Sequence, residues 1–131
     1  MQKLILFKYM FGKNDSIIAR YSSVFSKVLR AGERLINAGA AIYLLDSEML
    51  GRGKGDGTLG VTNLRVIHAG LPHLGLKIER ADIVSVSRKW IVIPGSSQLN
   101  ISYRSDGAVR QAEFYCGTGF CKEIISLLGT K

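Results

Sequence analysis

The chain has 131 residues, of which 47% are hydrophobic, and its formal net charge is +8. This length argues for one domain, and the apolar fraction excludes a chain that stays disordered for lack of a core. No apolar run reaches the ~20 residues that a membrane-spanning helix needs. The apolar residues 4–7 are interrupted by Lys8 and lack a small-residue cleavage site, so we expect no secretory signal.

The excess of 18 basic over 10 acidic residues favours an anionic partner: phospholipid headgroups, nucleic acid or an acidic protein surface. The alternative is that the charge only keeps the protein soluble, because the basic residues are scattered along the chain. Cys116 and Cys121 are too few for a disulfide framework and are not spaced as a redox or zinc motif. We expect two buried thiols and a reducing, cytoplasmic compartment.

The first 32 residues hold two apolar segments. Residues 2–11 fit a helix or a strand equally well. They either dock on a membrane or on a second copy of the chain, or they pack on their own domain. We favour packing on their own domain. Residues 16–31 predict an amphipathic helix, because apolar residues recur at three- and four-residue spacing. This helix either lies on a membrane surface or covers a sheet, and we favour the sheet. Its apolar stripe comprises Ile17, Ile18, Tyr21, Val24, Phe25, Val28 and Leu29.

After Gly32 the sequence alternates between apolar strands and turn signals. The first predicted strand covers residues 35–45, and a long glycine-rich loop follows it. Two apolar strands then flank Thr62-Asn63. This pattern predicts a tight antiparallel hairpin, because Asn tolerates the backbone angles of a turn.

The fourth predicted strand covers residues 77–87. A bulge is expected at Ala81-Asp82, where the apolar period slips by one residue. Residues 90–93 are predicted as a short fifth strand, since they are aromatic and β-branched and are followed by Pro94-Gly95.

The last part of the chain gives the clearest signals. Residues 98–103 and 108–116 predict a sixth and a seventh strand, joined at Asp106-Gly107, which is a strong hairpin turn. From Thr118 the sequence predicts a final helix with a wide apolar face.

The hairpin of residues 57–67 resembles the signature of the bacterial PH-like and GRAM-like domains, in which Gly-x-Leu-x-x-Thr-Asn-x-Arg precedes an apolar strand. Residues 78–86 are similar to the strand that follows this signature. The resemblance implies a mainly β fold: a bent antiparallel sheet of seven strands, or partly open barrel, capped by a C-terminal helix. Residues 33–131 are then a PH-like domain, and residues 1–32 are an added apolar segment and amphipathic helix.

No set of residues predicts catalysis or metal binding. His68 and His73 have no cysteine or carboxylate at the spacing of a zinc site, and a lone histidine is usually a surface or satisfied residue. The carboxylates form no recognisable acid–base pair. We therefore predict a protein that is not an enzyme and that needs no cofactor or metal.

The glycine-rich loop is the candidate anion site. It lacks the Gly-Lys-Ser/Thr ending of a phosphate-binding loop, but its two cations and exposed amides suit phosphate oxygens. The resemblance implies the same position, because PH-like domains that bind phosphoinositides use the loop after their first strand. In an antiparallel meander the loops after the first and third strands share one end of the sheet. The predicted anion- or phosphate-binding rim therefore comprises Arg52, Lys54, His73 and Lys77.

Arg65 and Arg88-Lys89 fall at the opposite end of this meander. Arg65 belongs to the hairpin signature, so we predict a structural role in which it pairs with a carboxylate or caps carbonyl groups. The favoured function is a non-enzymatic binding module for another protein or for self-association, with contact to an anionic membrane. The alternative is a phosphoinositide- or anionic-phospholipid-binding domain that targets a cytoplasmic protein to a membrane. Nucleic acid is not an expected partner, since charge alone supports it.

Overall fold

A computed structural model describes residues 25–44, 56–70 and 76–129. These residues form one seven-stranded antiparallel sheet and a C-terminal helix, and the strand order is β4-β3-β2-β1-β7-β6-β5. The elements are β1 (Leu35–Tyr43), β2 (Asp56–Thr62), β3 (Arg65–Gly70), β4 (Lys77–Glu79), β5 (Ile83–Trp90), β6 (Ser96–Ser105), β7 (Ala108–Gly117) and the helix α1 (Thr118–Gly129).

The inner face of the sheet and α1 together enclose the main core. Leu59 and Val61 of β2 alternate inward, as predicted, and pack in one cluster with Ile124 of α1. The helix buries Cys121, Ile124 and Leu128 against β5, β6 and β7. Full burial of one such aliphatic side chain contributes about 1.5–3 kcal/mol, so the helix is an essential wall of the core.

Both predicted hairpins are confirmed, although the first turns one residue later than the predicted Thr62-Asn63. The β2–β3 hairpin turns at Asn63-Leu64, and the Thr62 hydroxyl accepts the backbone N–H groups of Leu64 and Arg65. The β6–β7 hairpin turns at Asp106-Gly107, with φ angles of 52° and 77°. Both residues need the left-handed region, which Asp and Gly adopt more readily than other residues.

The predicted fourth strand is wrong as a single element. A 3₁₀ turn, Arg80–Asp82, divides it into β4 and β5, and these two strands lie at opposite edges of the sheet. Ile78 and Ile83 both point into the core, although they are five positions apart, which would place them on opposite faces of one continuous strand. The slip in the apolar period therefore marks a crossing between two parts of the sheet rather than a bulge.

The predicted fifth strand over residues 90–93 is also wrong. Trp90 is the last residue of β5, and residues 91–95 form the connection to β6. Val92 and Ile93 have high β-propensity, but no neighbouring strand pairs with them within the described part of the chain. The total of seven strands is preserved only because the division of the fourth strand offsets this loss.

A second, smaller cluster covers the outer face of the sheet. Phe25 is fully buried there against Ala38 and Ile67, and Val28 and Leu29 pack beside it. Gly60 of β2 makes room for the ring, because a Cβ atom at this position would approach Phe25 to 2.8 Å. The end of the apolar stripe therefore covers the sheet.

The predicted N-terminal helix is only partly covered by the described residues. Phe25 is helical, and its carbonyl accepts hydrogen bonds from the N–H groups of Val28 and Leu29. Residues 26–32 form turns and coil rather than a continued helix. The rest of this prediction, over residues 16–24, and the apolar residues 2–11 lie outside the described residues.

We expect Phe25→Ala to lower the free energy of unfolding by about 3 kcal/mol or more, because it removes a fully buried ring from the outer cluster. Urea unfolding followed by circular dichroism measures the loss. Val109→Ala, at a side chain that is exposed in β7, is the matched control and should change stability by less than ~0.5 kcal/mol. Equal stability of the wild-type and Phe25→Ala proteins would contradict the packing.

Candidate functional site

A buried ion pair joins the hairpin signature to the segment before β1. The guanidinium of Arg65 binds both carboxylate oxygens of Glu33, with Nε–Oε2 and Nη2–Oε1 distances of 2.9 and 2.6 Å. The same Nη2 donates to the carbonyl of Val28 at 2.6 Å. Arg65 therefore both pairs with a carboxylate and caps a carbonyl, so the structural role predicted for it is confirmed.

The neighbouring signature residues hold the same segment. The Thr62 hydroxyl donates to Glu33 Oε2 at 2.6 Å. The Asn63 side chain accepts the N–H of Arg34 at 2.8 Å and donates to the carbonyl of Gly32. The Thr-Asn-x-Arg motif is thus a clamp on residues 28–34, in which all three of its polar side chains make hydrogen bonds within the protein.

Arg80 extends this clamp to the C-terminal helix. Its Nη1 atom donates to the carbonyl of Thr62 at 3.2 Å, and its Nη2 atom donates to the carbonyl of Leu127 at 2.9 Å. A cation is favourable there, because the last carbonyls of a helix carry partial negative charge. The hairpin turn and the end of α1 are therefore held together by one side chain.

The charges of this cluster depend on one another. The Arg65 guanidinium, with smaller contributions from Thr62 and the Arg30 N–H, lowers the pKa of Glu33 to about 2 against the opposing effect of burial. Between pH 4.5 and about 2 the unfolded chain therefore binds a proton that the folded chain does not. The stability from this carboxylate is complete above pH 4.5 and is lost as the pH falls through that window.

We expect Glu33→Gln to cost about 3 kcal/mol at neutral pH, because it leaves the Arg65 charge buried without its partner. The gap between the wild-type and Glu33→Gln proteins should narrow as the pH falls below about 4.5, since folding of the wild-type chain must then release a proton that its unfolded state binds, which the Gln variant does not need to do. Urea unfolding at a series of pH values measures this gap. Glu123→Gln, at an exposed glutamate of α1, is the control, and a gap independent of pH would contradict the assignment.

The described histidine is a structural residue. His68 is buried, its Nε2 lies 2.9 Å from the carbonyl of Ala41, and its ring packs near those of Tyr43 and Phe114. Burial lowers its pKa, which favours the neutral ring, while the hydrogen bond to Ala41 acts in the opposite direction. The prediction that His68 is a satisfied residue is confirmed.

The two thiols are buried and face each other at the junction of β7 and α1. Burial raises the pKa of Cys116 to about 12 and also raises the pKa of Cys121. Both are therefore protonated at neutral pH, which disfavours a nucleophilic or metal-binding role. Among the described residues, no three His, Cys, Asp or Glu side chains are grouped to hold a metal ion.

The predicted anion rim is represented by one residue. Lys77 is exposed at the start of β4 and pairs in register with Ile67 of the outer cluster, so it projects from the outer face of the sheet. Arg52, Lys54 and His73 lie outside the described residues. In the part of the chain that the structure describes, no helix is long and apolar enough to cross a membrane.

The sequence reasoning missed the most exposed apolar group, which lies at the β5–β6 connection. Trp90 is 74% exposed, Val92 80% and Ile93 50%, and two exposed cations, Arg88 and Lys89, precede them. We name residues 88–95 the tryptophan loop. One sequence signal could have found it: two cations, Arg88 and Lys89, directly precede an apolar run that ends at Pro94-Gly95. A run that ends in this way fits a loop as well as a strand.

The comparisons with known proteins show the fold and no more. No protein-family model and no curated protein matches the sequence. The structure is similar to the Vps36 N-terminal PH domain, with a TM-score of 0.59 and 15% identity over 78% of this chain and 83% of that chain. It is also similar to the C-terminal domain of an unknown protein from Leishmania infantum, with a TM-score of 0.61 and 12% identity over 85% and 94% of the two chains. The chain thus has a PH-like fold.

Proposed function

We propose that this chain is a non-enzymatic binding module that associates with another protein or with a second copy of itself, and that contacts an anionic membrane surface. The described surface supports an anionic partner. Nine basic residues of the described part are exposed, against two exposed acidic residues, Asp106 and Glu123. The nine are Lys27, Arg30, Arg34, Lys77, Arg88, Lys89, Arg104, Arg110 and Lys122.

The interior supports binding rather than catalysis. Every buried side-chain nitrogen or oxygen in the described residues has a hydrogen-bond partner within the protein. The buried groups that titrate, Glu33, His68 and the two thiols, are held in one protonation state near neutral pH by their partners or by burial. An acid–base or nucleophilic mechanism needs a group that can change its state, so recognition at the surface is the better use of this fold.

The mass of the full chain in solution tests the protein-binding proposal. We expect either a mass that rises with concentration in light scattering, or binding to poly-L-glutamate, the probe for an acidic protein surface. Poly-L-glutamate binding should weaken as salt is added, because exposed charges are screened within about 8 Å at physiological ionic strength. The proposal would be contradicted if the chain were a monomer at every concentration and did not bind poly-L-glutamate.

The second candidate is phosphoinositide or anionic-phospholipid binding through the rim of Arg52, Lys54, His73 and Lys77. It is supported by the net charge of +8 and by the position of the first two cations after the first strand. A cytoplasmic protein with peripheral membrane contact follows from it. Membership of the GRAM-like group also remains part of this proposal.

Vesicle sedimentation tests the rim. Arg52→Gln with Lys54→Gln should weaken binding to vesicles that contain phosphatidylserine or a phosphoinositide by about fivefold per charge. The matched control is Arg104→Gln with Arg110→Gln, which removes the same charge from exposed positions of the β6–β7 hairpin. Equal effects of the two pairs would mean that net charge, and not the rim, decides binding.

A further inference from the structure

The tryptophan loop is fixed at its base. The N–H of Thr118, the first residue of α1, donates to the carbonyl of Gly95 at 2.9 Å, and the Ser96 N–H donates to the carbonyl of Ile93 at 3.2 Å. The hydroxyls of Ser97 and Thr118 lie 2.9 Å apart. The loop is therefore held by a strand and a helix of the core, so its apolar side chains are presented in a defined place.

Within the described part of the chain, no residue packs over these apolar side chains so as to hide them. Trp90 and Val92 are among the most exposed large apolar side chains of the described residues, and Ile93 is half exposed. A single exposed apolar side chain needs no explanation, but three in four consecutive residues form a patch that favours a partner.

Positive charge surrounds this apolar tip. Arg88 and Lys89 are exposed, and Arg88 uses Nη1 for the Ser97 hydroxyl at 3.2 Å. Lys122 is exposed in the second turn of the helix that begins beside Gly95, and the exposed Glu123 offsets one charge. The local excess is therefore positive, which complements an anionic surface.

We propose that the tryptophan loop is a membrane-contact site, which inserts Trp90, Val92 and Ile93 into the interface of an anionic bilayer while Arg88 and Lys89 meet the lipid phosphates. Trp is enriched at the interface of membranes, where its ring spans the apolar and the wet layers. Stable attachment needs two weak signals together, and an apolar tip beside cations supplies both. This inference rests on the proposed binding role and adds a site outside the predicted rim.

The size of the patch favours a bilayer over a protein. Each partner of a standard protein interface contributes about 800 Å² of surface, and three side chains on one loop supply much less than that. A bilayer interface needs no complementary pocket, so a small apolar tip can enter it wherever the lipids are fluid. The flanking cations then attract the loop to the anionic headgroups.

Trp90 is the only tryptophan of the chain, so its fluorescence reports directly on the loop. With the full chain and phosphatidylcholine vesicles that contain phosphatidylserine, we expect a blue shift of the emission and protection from acrylamide. Vesicles of phosphatidylcholine alone should give little of either. Arg88→Gln with Lys89→Gln should weaken binding about fivefold per charge.

Val92→Ser with Ile93→Ser should weaken binding by about tenfold or more, because it removes the inserted apolar groups. Val109→Ser, at an exposed valine of β7, is the matched control and should have no effect. Since all these side chains are exposed, circular dichroism should show unchanged folding in every variant.

Four results would overturn the inference. One is an emission that anionic vesicles do not shift, and a second is a shift that Val92→Ser with Ile93→Ser leaves unchanged. The third is a shift that concentration alone or poly-L-glutamate produces without lipid, which would assign the loop to a second copy or to an acidic protein. The fourth is vesicle binding that is lost only with Arg52→Gln and Lys54→Gln, which would support the rim instead.

Discussion

The ion pair between Arg65 and Glu33 is the interaction on which the rest of the structure depends. It joins a hairpin to a segment 32 residues earlier in the sequence and orders the chain as it enters β1. Because both charges are buried, the loss of either one leaves the other without compensation. Thr62 and Asn63 fasten the same segment from the turn, so the outer cluster around Phe25 is placed by polar contacts as well as by its own packing.

This arrangement gives the recognisable part of the sequence a structural task. Thr62, Asn63 and Arg65 all make hydrogen bonds that hold the segment before β1. A signature of this kind reports the scaffold and says little about the partner. Our proposals therefore place recognition at residues outside the signature, namely the exposed cations and the tryptophan loop.

The parts of the fold that could be predicted are those that local chemistry decides. Asp106-Gly107 favours a hairpin turn because both residues readily adopt the positive φ angles that the turn requires. The alternation of apolar with small or polar residues around Leu59 indicates which side chains are buried. The division of the chain at Arg80–Asp82 could not be predicted, because it depends on which sheet edge each half of the segment joins. The sequence predicts that Lys77 lies on a strand, which is correct. The face from which it projects could not be predicted, because this depends on the strand pairing that places it opposite Ile67 on the outer face.

The tryptophan loop escaped prediction because β-propensity and exposure are independent properties. Val92 and Ile93 have high β-propensity, but no neighbouring strand pairs with them within the described residues, so they form an exposed tip with Trp90 at the end of β5. That absence follows from the same topology, since β5 ends at Trp90 and the chain must turn there to form β6. The edge strand next to a fixed helix terminus thus sets the position of the apolar tip, and the two exposed cations before it, Arg88 and Lys89, place positive charge at its base.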